Sequence, residues 1–402
     1  MRERVDDNHD VHAGESNVRR IYLDVTRLLK GIFLRRRPTG VDRVSLAYVR
    51  HYGGNAHAVL AGRGHHIVMS RRASSQIFDA IQRHYEADRP VGKRELARIL
   101  LPGLRFRMAS GGVLLHTSHS GAEFSRYFES LKVRGVHVVF MVHDLIPLTH
   151  AEYCRVGTAQ IHDQRIRSAL STSSAVIANS QTTLDDMFRY AARHQLNMPR
   201  CIASRLAPGT QTDGDTSRPM LEPYFVMVGT IEPRKNHWLI FHVWRRIAES
   251  LVEDAPRLVV IGRQGWKCGN ALDMLEDCVA LRHLVIWQSD CSDYMLGTWL
   301  KHAKALLFPS FTEGYGMPVA EALACGVPVI ASDLAALREY AGDVPDYLDP
   351  LDGPAWHARI LAYINDDSPE RAQQLARITG FRAPTWEEHF EQVDGLLVEL
   401  DT

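Results

Sequence analysis

A chain of 402 residues, 45% hydrophobic and 23% charged, is too long for one ordinary core and too apolar for a disordered or fibrous protein. Its formal net charge is zero, yet residues 1–210 carry 31 Lys and Arg against 18 Asp and Glu, and the remainder 16 against 29. Such an imbalance turns the first half toward something anionic, whether nucleic acid, an anionic membrane surface or a phosphorylated substrate, while the longest apolar runs, such as VHVVFMV (136–142), fall far short of the roughly 20 residues that span a bilayer.

In chain order, residues 1–18 are polar and expected to be disordered, and MRERVDDNHDVHAGE has no apolar stretch of the kind a secretory signal needs. IYLDVT (21–26) reads as an apolar strand, followed by a basic loop and a first helix from near Gly40. Further strands are expected at HAVLAG (57–62), HHIVMS (65–70), GVLLHTS (112–118), VHVVFMVHD (136–144) and SSAVIANS (173–180), with helical patterns between them. The second half repeats the alternation with YFVMVGT (224–230), PRLVVIG (256–262), HLVIWQS (283–289), AKALLFPS (303–310) and VPVIASD (327–333). Unbroken β-branched runs separated by helices predict parallel strands covered on both faces, and two such series predict an α/β protein of two doubly wound, Rossmann-like domains. The boundary is expected in the Gly-, Pro- and Thr-rich APGTQTDGDTSRPMLEP (207–223). That division gives a first Rossmann-like domain over 19–210, a second over 211–380, and a final helical segment, 381–402, that would cross back to the first domain. The six cysteines (154, 201, 268, 278, 291, 325) form no CxxC pair, which fits free thiols in a reducing cytosol and argues against a zinc site.

Ligands of open parallel sheets bind beyond the carboxyl ends of the strands, so the residues that follow the strands carry the chemistry. In VGTIEPRKNH (228–237) a strand ends at Gly229-Thr230, and Arg234-Lys235 follow just before a helix. A glycine turn, two cations and helix N-terminal amides suit a diphosphate: Arg can fork onto two oxygens while Lys supplies a point charge. In FTEGYGMPVAE (311–321) the chain turns through Gly314, Tyr315, Gly316 and Met317 into a helix beginning near Pro318. The amides of Gly316, Met317 and Val319 are expected to face the interdomain cleft as donors. Glu313 would accept hydroxyl protons of a donor sugar, and Glu321, about one turn into the helix, would bridge the two vicinal hydroxyls of a ribose. VHVVFMV ends in His143-Asp144, a third such place, where Asp144 would orient His143 or cap the following turn.

EGYGMPVAE followed by ALACGVPVIASD resembles the Glu-x7-Glu signature of family 4 retaining glycosyltransferases with the GT-B fold. GTIEPRKNHWLI resembles the same family's Arg-Lys diphosphate motif, and IGRQGW (261–266) is similar to a loop found after its next strand. The resemblance covers about residues 222–380; the first half is similar only through PTGVDRV (38–44) and FMVHDLIPL (140–148). It implies catalytic roles for Glu313 and His143, the latter a neutral imidazole donating to a sugar hydroxyl or leaving oxygen. It implies contact of Gly40, Gly229, Thr230, Arg234 and Lys235 with the donor diphosphate, and of Glu313, Gly314, Tyr315, Gly316, Met317 and Glu321 with the donor sugar and ribose. The family reaction retains anomeric configuration, with the leaving phosphate accepting the acceptor's proton; no metal or other cofactor is implied beyond the nucleotide sugar.

The wording of the motifs resembles bacterial mannosyltransferases, which implies GDP-mannose as donor and a lipid-linked or saccharide acceptor in polysaccharide assembly. UDP-glucose-type and rhamnose donors remain open, as does a sugar-nucleotide epimerase of the same fold. A dinucleotide-dependent oxidoreductase is disfavoured because IYLDVTRLLKG lacks GxGxxG. The segments RLLKGIFLRRRPTGVDR (27–43) and GKRELARILLPGLRFR (92–107) mix apolar and basic residues, as a membrane surface would require. The expected location is therefore cytoplasmic, at the inner face of the plasma membrane, with no nucleic-acid partner.

Overall fold

The computed structural model describes residues 19–86, 89–103, 109–209 and 217–400; the polar stretch 1–18 and the centre of the expected linker lie outside the described residues. Within them the chain forms two open sheets. The first contains β1 (Ile21–Asp24), β2 (Ala56–Gly62), β3 (His65–Val68), β4 (Val113–His116), β5 (His137–Val142), β6 (Ala175–Ala178) and β7 (Arg200–Ala203), in the order β3-β2-β1-β4-β5-β6-β7. The second contains β8 (Tyr224–Val228), β9 (Arg257–Ile261), β10 (Val285–Gln288), β11 (Leu306–Phe308), β12 (Val329–Ser332) and β13 (Asp346–Leu348), in the order β10-β9-β8-β11-β12-β13. The central strands are apolar on both faces because helices cover both: every residue of β4, β6 and β12 is buried.

The expectation of uniformly parallel strands fails at β3. Arg63 and Gly64, with φ of 49° and 82°, form a two-residue turn that folds β3 back antiparallel onto β2. Left-handed backbone at both turn positions matches the twist of a hairpin. The edge strands β7 and β13 escaped the sequence reading because neither has a fully buried residue, so no apolar run marks them.

A second correction lies between β1 and Gly40. Residues Thr26–Phe33 form a helix, not a loop, and Leu28, Leu29 and Ile32 on one face enter the core. Each such burial stabilises by about 1.5–3 kcal/mol, so these three apolar residues, offered to a membrane by the sequence, are used internally. What stays exposed is Phe33, Leu34 and the arginines after them. Gly40 therefore opens the second helix, Gly40–Tyr52, where Thr39 and Asp42 form a capping box and the Thr39 amide donates to Asp42 at 2.8 Å.

The final helix, Trp386–Glu399, lies against the first domain. His389 is the anchor: Tyr48 Oη and Ser204 Oγ lie 3.0 and 2.8 Å from its two ring nitrogens. Tyr52 donates to Asp394 at 2.6 Å. Among the described residues no helix is long and apolar enough to cross a membrane.

Candidate active site

The carboxyl ends of β5 and β8 face one another across a cleft of about 350 Å³ lined by both domains. Of the residues nominated from sequence, His143, Gly40, Gly229, Thr230, Arg234, Lys235 and the turn Glu313, Gly314, Tyr315, Gly316 and Met317 all line it; Glu321 does not.

On the second domain's side, β8 ends in Gly229, whose amide donates to Ile261 at 2.9 Å and ties the β8 and β9 loops together. A single 3₁₀ turn, Pro233–Lys235, then presents the two cations before Asn236 starts the next helix in a left-handed conformation. Both cations meet Glu313. Arg234 Nη1 lies 2.7 Å from one carboxylate oxygen and Lys235 Nζ 2.5 Å from the other. Arg234 Nε reaches Glu232 at 2.7 Å, and the Lys235 ammonium sits 4.6 Å from the centre of the Phe308 ring. Burial alone would push the Glu313 carboxyl up, but Arg234 and Lys235 together hold it down at about 2, so it is ionised. For Lys235 burial dominates, lowering its affinity for a proton despite Glu313. Arg234 is raised, since Glu313 and Glu232 outweigh its burial. The cations are thus not bare in the empty cleft, and Glu313 is not a free sugar acceptor: each of its oxygens already accepts from a cation.

The turn that follows is where the domains touch. A Cβ on Gly314 would lie 2.1 Å from the His143 carbonyl oxygen and 2.9 Å from Asp144 Cβ, so only glycine permits this approach. The Gly314 carbonyl accepts from Ser180 Oγ at 2.7 Å. Tyr315 is buried, stacks on Tyr340 and donates its hydroxyl to the Leu206 carbonyl at 2.5 Å. Gly314 and Tyr315, expected at the donor, line the cleft and also join the two domains through this carbonyl and this hydroxyl. Gly316, at φ 89°, turns the chain into the helix Met317–Ala324. The amides of Gly316 and Met317 have no protein acceptor among the described residues, but the Val319 amide donates to the Gly316 carbonyl at 3.0 Å. Tight reversal at Gly316 places that carbonyl within reach, which removes Val319 from the expected donors.

His143 is buried, and its role also changes. Nε2 lies 2.9 Å from the Thr117 carbonyl, so it must carry the proton. Burial pulls the ring's pKa down, keeping it neutral; its single proton is committed, and Nδ1, without a partner among the described residues, is an acceptor and not the expected donor. Asp144 caps the next turn, accepting from the Ile146 amide at 3.1 Å. Asn179 fixes the strand end by donating to the His143 carbonyl at 2.9 Å.

Glu321 departs furthest from expectation. It is fully buried and paired across the domain boundary with Arg43, whose Nη1 donates to Oε1 at 3.1 Å, while the Gly209 amide donates to the same oxygen at 3.2 Å. Burial outweighs Arg43 and pushes its carboxyl pKa up. Arg43 also pairs with Asp293 at the start of the helix Asp293–Lys301. Within PTGVDRV only the glycine stands out; Arg43, between Asp42 and Val44, carries no signal that separates it from Arg50, between Val49 and His51, in the same helix. Arg263, Ser289 and Cys291 also line the cleft unforeseen; they sit on loops, where no periodicity marks them. Among the described residues, no group of three or more His, Cys, Asp or Glu side chains is placed to hold a metal ion.

Residues 211–377 match the family model of Glycosyl transferases group 1. The chain is 26% identical over 245 residues to the serotype-specific mannosyltransferase WbdA of Escherichia coli, covering 56% of this chain and 29% of that protein. It is 24% identical over 258 residues to the O-antigen chain mannosyltransferase B of Escherichia coli, covering 61% of this chain and 66% of that protein. The chain thus spans under a third of the first relative and less than two thirds of the second. Among solved structures it is similar to Anabaena HepE in complex with UDP and glucose, with a TM-score of 0.67 at 12% identity, over 95% of this chain and 100% of that one. At that identity the likeness speaks to fold alone, and the fold is GT-B: two Rossmann-like domains facing each other across a cleft.

Proposed function

With residues 211–377 belonging to the group 1 glycosyltransferases as premise, we propose that this protein moves a hexose, best read as mannose from GDP-mannose, from a nucleoside diphosphate sugar to a saccharide or lipid-linked acceptor in bacterial polysaccharide assembly. The observation that carries the reading is the buried Arg234–Lys235–Glu313 cluster in the cleft lining, together with the amides of Gly316 and Met317, which have no protein acceptor among the described residues. The transfer breaks the bond between the anomeric carbon and the β-phosphate oxygen. Negative charge grows on the departing diphosphate, and fixed cations and amides stabilise it without reorganising. Positive charge grows at the anomeric carbon, where Glu313 stands nearby as the counter-charge. His143 Nδ1 accepts from a hydroxyl of the donor sugar and orients it. Configuration is retained by attack from the face the leaving group occupies, the phosphate oxygen taking the acceptor's proton. Arg234 and Lys235 supply the charge that a metal ion supplies elsewhere, so no metal is required.

A peripheral membrane contact belongs to the same reading. Phe33, Leu34 and Leu101 are exposed, at 39%, 48% and 66%, in the two segments that also carry Arg35, Arg36, Arg37 and Lys93. Apolar side chains beside cations favour an anionic interface, and salt-sensitive sedimentation with anionic vesicles tests it; no association at low salt would remove the membrane contact.

The function is tested by thermal-shift titration with GDP-mannose, UDP-glucose, UDP-GlcNAc and dTDP-rhamnose, followed by transfer assays on lipid-linked acceptors. One donor should stabilise the protein and be consumed only when acceptor is present. Consumption without acceptor would favour an epimerase. Binding of none, or unchanged kcat/KM in the double variant Arg234→Gln, Lys235→Gln, would overturn the reading.

A further inference from the structure

The contact between Arg43 and Glu321 is incomplete in a telling way. Arginine and a carboxylate normally pair through two parallel hydrogen bonds, yet here only Nη1 meets Glu321, at 3.1 Å. Glu321 Oε2 and Arg43 Nε are both buried and have no partner among the described residues. An orphaned acceptor and an orphaned donor in one ion pair cost free energy that a ligand bearing adjacent hydroxyls would recover.

Arg43 also occupies a dividing position. It lines the cleft and, on its other side, a second cavity of about 300 Å³ whose walls include Asp293 and Gly209. Asp293 already pairs with Arg43 Nη2 and is partly exposed, its side chain at 30%, whereas Glu321 is at 0%. The guanidinium therefore has an alternative seat and open volume behind it. Glu321 has neither: a fully buried carboxylate stripped of its cation is costly unless other donors replace it.

We infer that Arg43 gates the ribose site from the opposite domain: in the empty protein it covers Glu321, and a nucleoside diphosphate's two ribose hydroxyls displace it onto Asp293. The inference rests on the reading of Glu321 as the ribose acceptor. The exchange strands no charge, because two O–H donors replace one guanidinium contact on Glu321 while Arg43 keeps Asp293. It also links recognition to closure, since the cation comes from one domain and the carboxylate from the other.

Calorimetric titration with GDP, UDP and their 2′-deoxy counterparts reads the gate directly as the ratio of ribose to deoxyribose affinity. The unmodified protein should prefer the ribose form. Arg43→Met removes the competitor and should raise that preference by roughly three- to tenfold. Asp293→Asn removes the alternative seat at a part-exposed position and should lower the preference by a similar factor. Opposite signs in the two variants would support the gate. If both variants weakened ribose and deoxyribose forms alike, Arg43 would be a plain strut between domains and the gate would be overturned. A fall in the Arg43→Met ratio would overturn it too, because Arg43 would then itself bind the ribose. Should Arg43→Met not fold, an unchanged ratio in Asp293→Asn is enough to reject the proposal. Equal affinity of the unmodified protein for both forms would strike the ribose reading of Glu321, and the gate with it, while leaving the transfer assay unaffected.

Discussion

Replacing Glu313 by Gln keeps the shape of the side chain and removes the charge on which two buried cations depend. Arg234 would retain Glu232, but Lys235 has no other carboxylate within ion-pair distance among the described residues. The Glu313 carboxyl is held at about 2 against an ordinary 4.5, a difference that corresponds to about 3 kcal/mol in favour of the ionised, paired form. Removing one member of a buried pair costs about 3–5 kcal/mol in general, so both routes lead to the same magnitude. In a domain of this size the melting temperature should fall by roughly 6–12 °C. Nucleoside diphosphate should recover more stability in the variant than in the unmodified protein, because its phosphates no longer compete with Glu313 for Arg234 and Lys235. Transfer should drop by about a hundredfold or more. Because the folded carboxyl is depressed, its contribution is complete above about pH 4.5 and is lost as pH falls through about 2. The gap in melting temperature should therefore be flat through neutral pH and shrink only in acid. An unchanged melting temperature together with unchanged affinity for GDP and UDP would refute the reasoning.

Gly314→Ala adds a Cβ 2.1 Å from the His143 carbonyl; the domains must separate, so small-angle scattering should register a larger molecule and transfer should fall at least tenfold, and normal activity with normal dimensions would contradict the close approach. His389 is held at about 4 by burial against an ordinary 6.5. Its neutral form thus supports the fold fully above pH 6.5, and about 3 kcal/mol is lost as pH falls toward 4. Hydrogen exchange in Trp386–Glu399 should accelerate across that window and lose its pH dependence in His389→Gln; a flat profile in the unmodified protein would contradict the anchor.

Burial in the sheet made much of the fold legible. β4, β5, β8, β9 and β12 are covered on both faces, so their apolar runs announce them without knowledge of their neighbours. β7 and β13 sit at edges and have no such signature. The helix Thr26–Phe33 was hidden by its basic residues, although Leu28, Leu29 and Ile32 carry helical spacing. At the cleft, local motifs located the side chains but not their partners. Arg234, Lys235 and Glu313 lie 78 positions apart at their closest contact, and Arg43 and Glu321 lie 278 apart. A pairing across the boundary between two domains has no periodic trace in the sequence. The proton on His143 was equally invisible, since it is fixed by the Thr117 carbonyl, 26 positions away.

The two ion clusters share one physical logic. In each, the groups a nucleotide sugar needs are paired with one another while the cleft is empty: Arg234 and Lys235 with Glu313, Arg43 with Glu321. Bare cations as buried as Arg234 and Lys235 would bear a large desolvation cost, and a bare Glu321 a larger one still, being wholly enclosed. Mutual pairing removes that cost while the cleft is empty. On the proposed reading, binding is an exchange of partners: phosphates for Glu313, hydroxyls for Arg43, with Asp293 receiving the displaced guanidinium. An exchange of this kind is most favourable when phosphate and diol arrive on one molecule, since either alone leaves one cluster as it was. Selectivity for an intact nucleoside diphosphate over free phosphate or free nucleoside follows from that coupling, and so does release of Glu313 beside the sugar only once the diphosphate is seated.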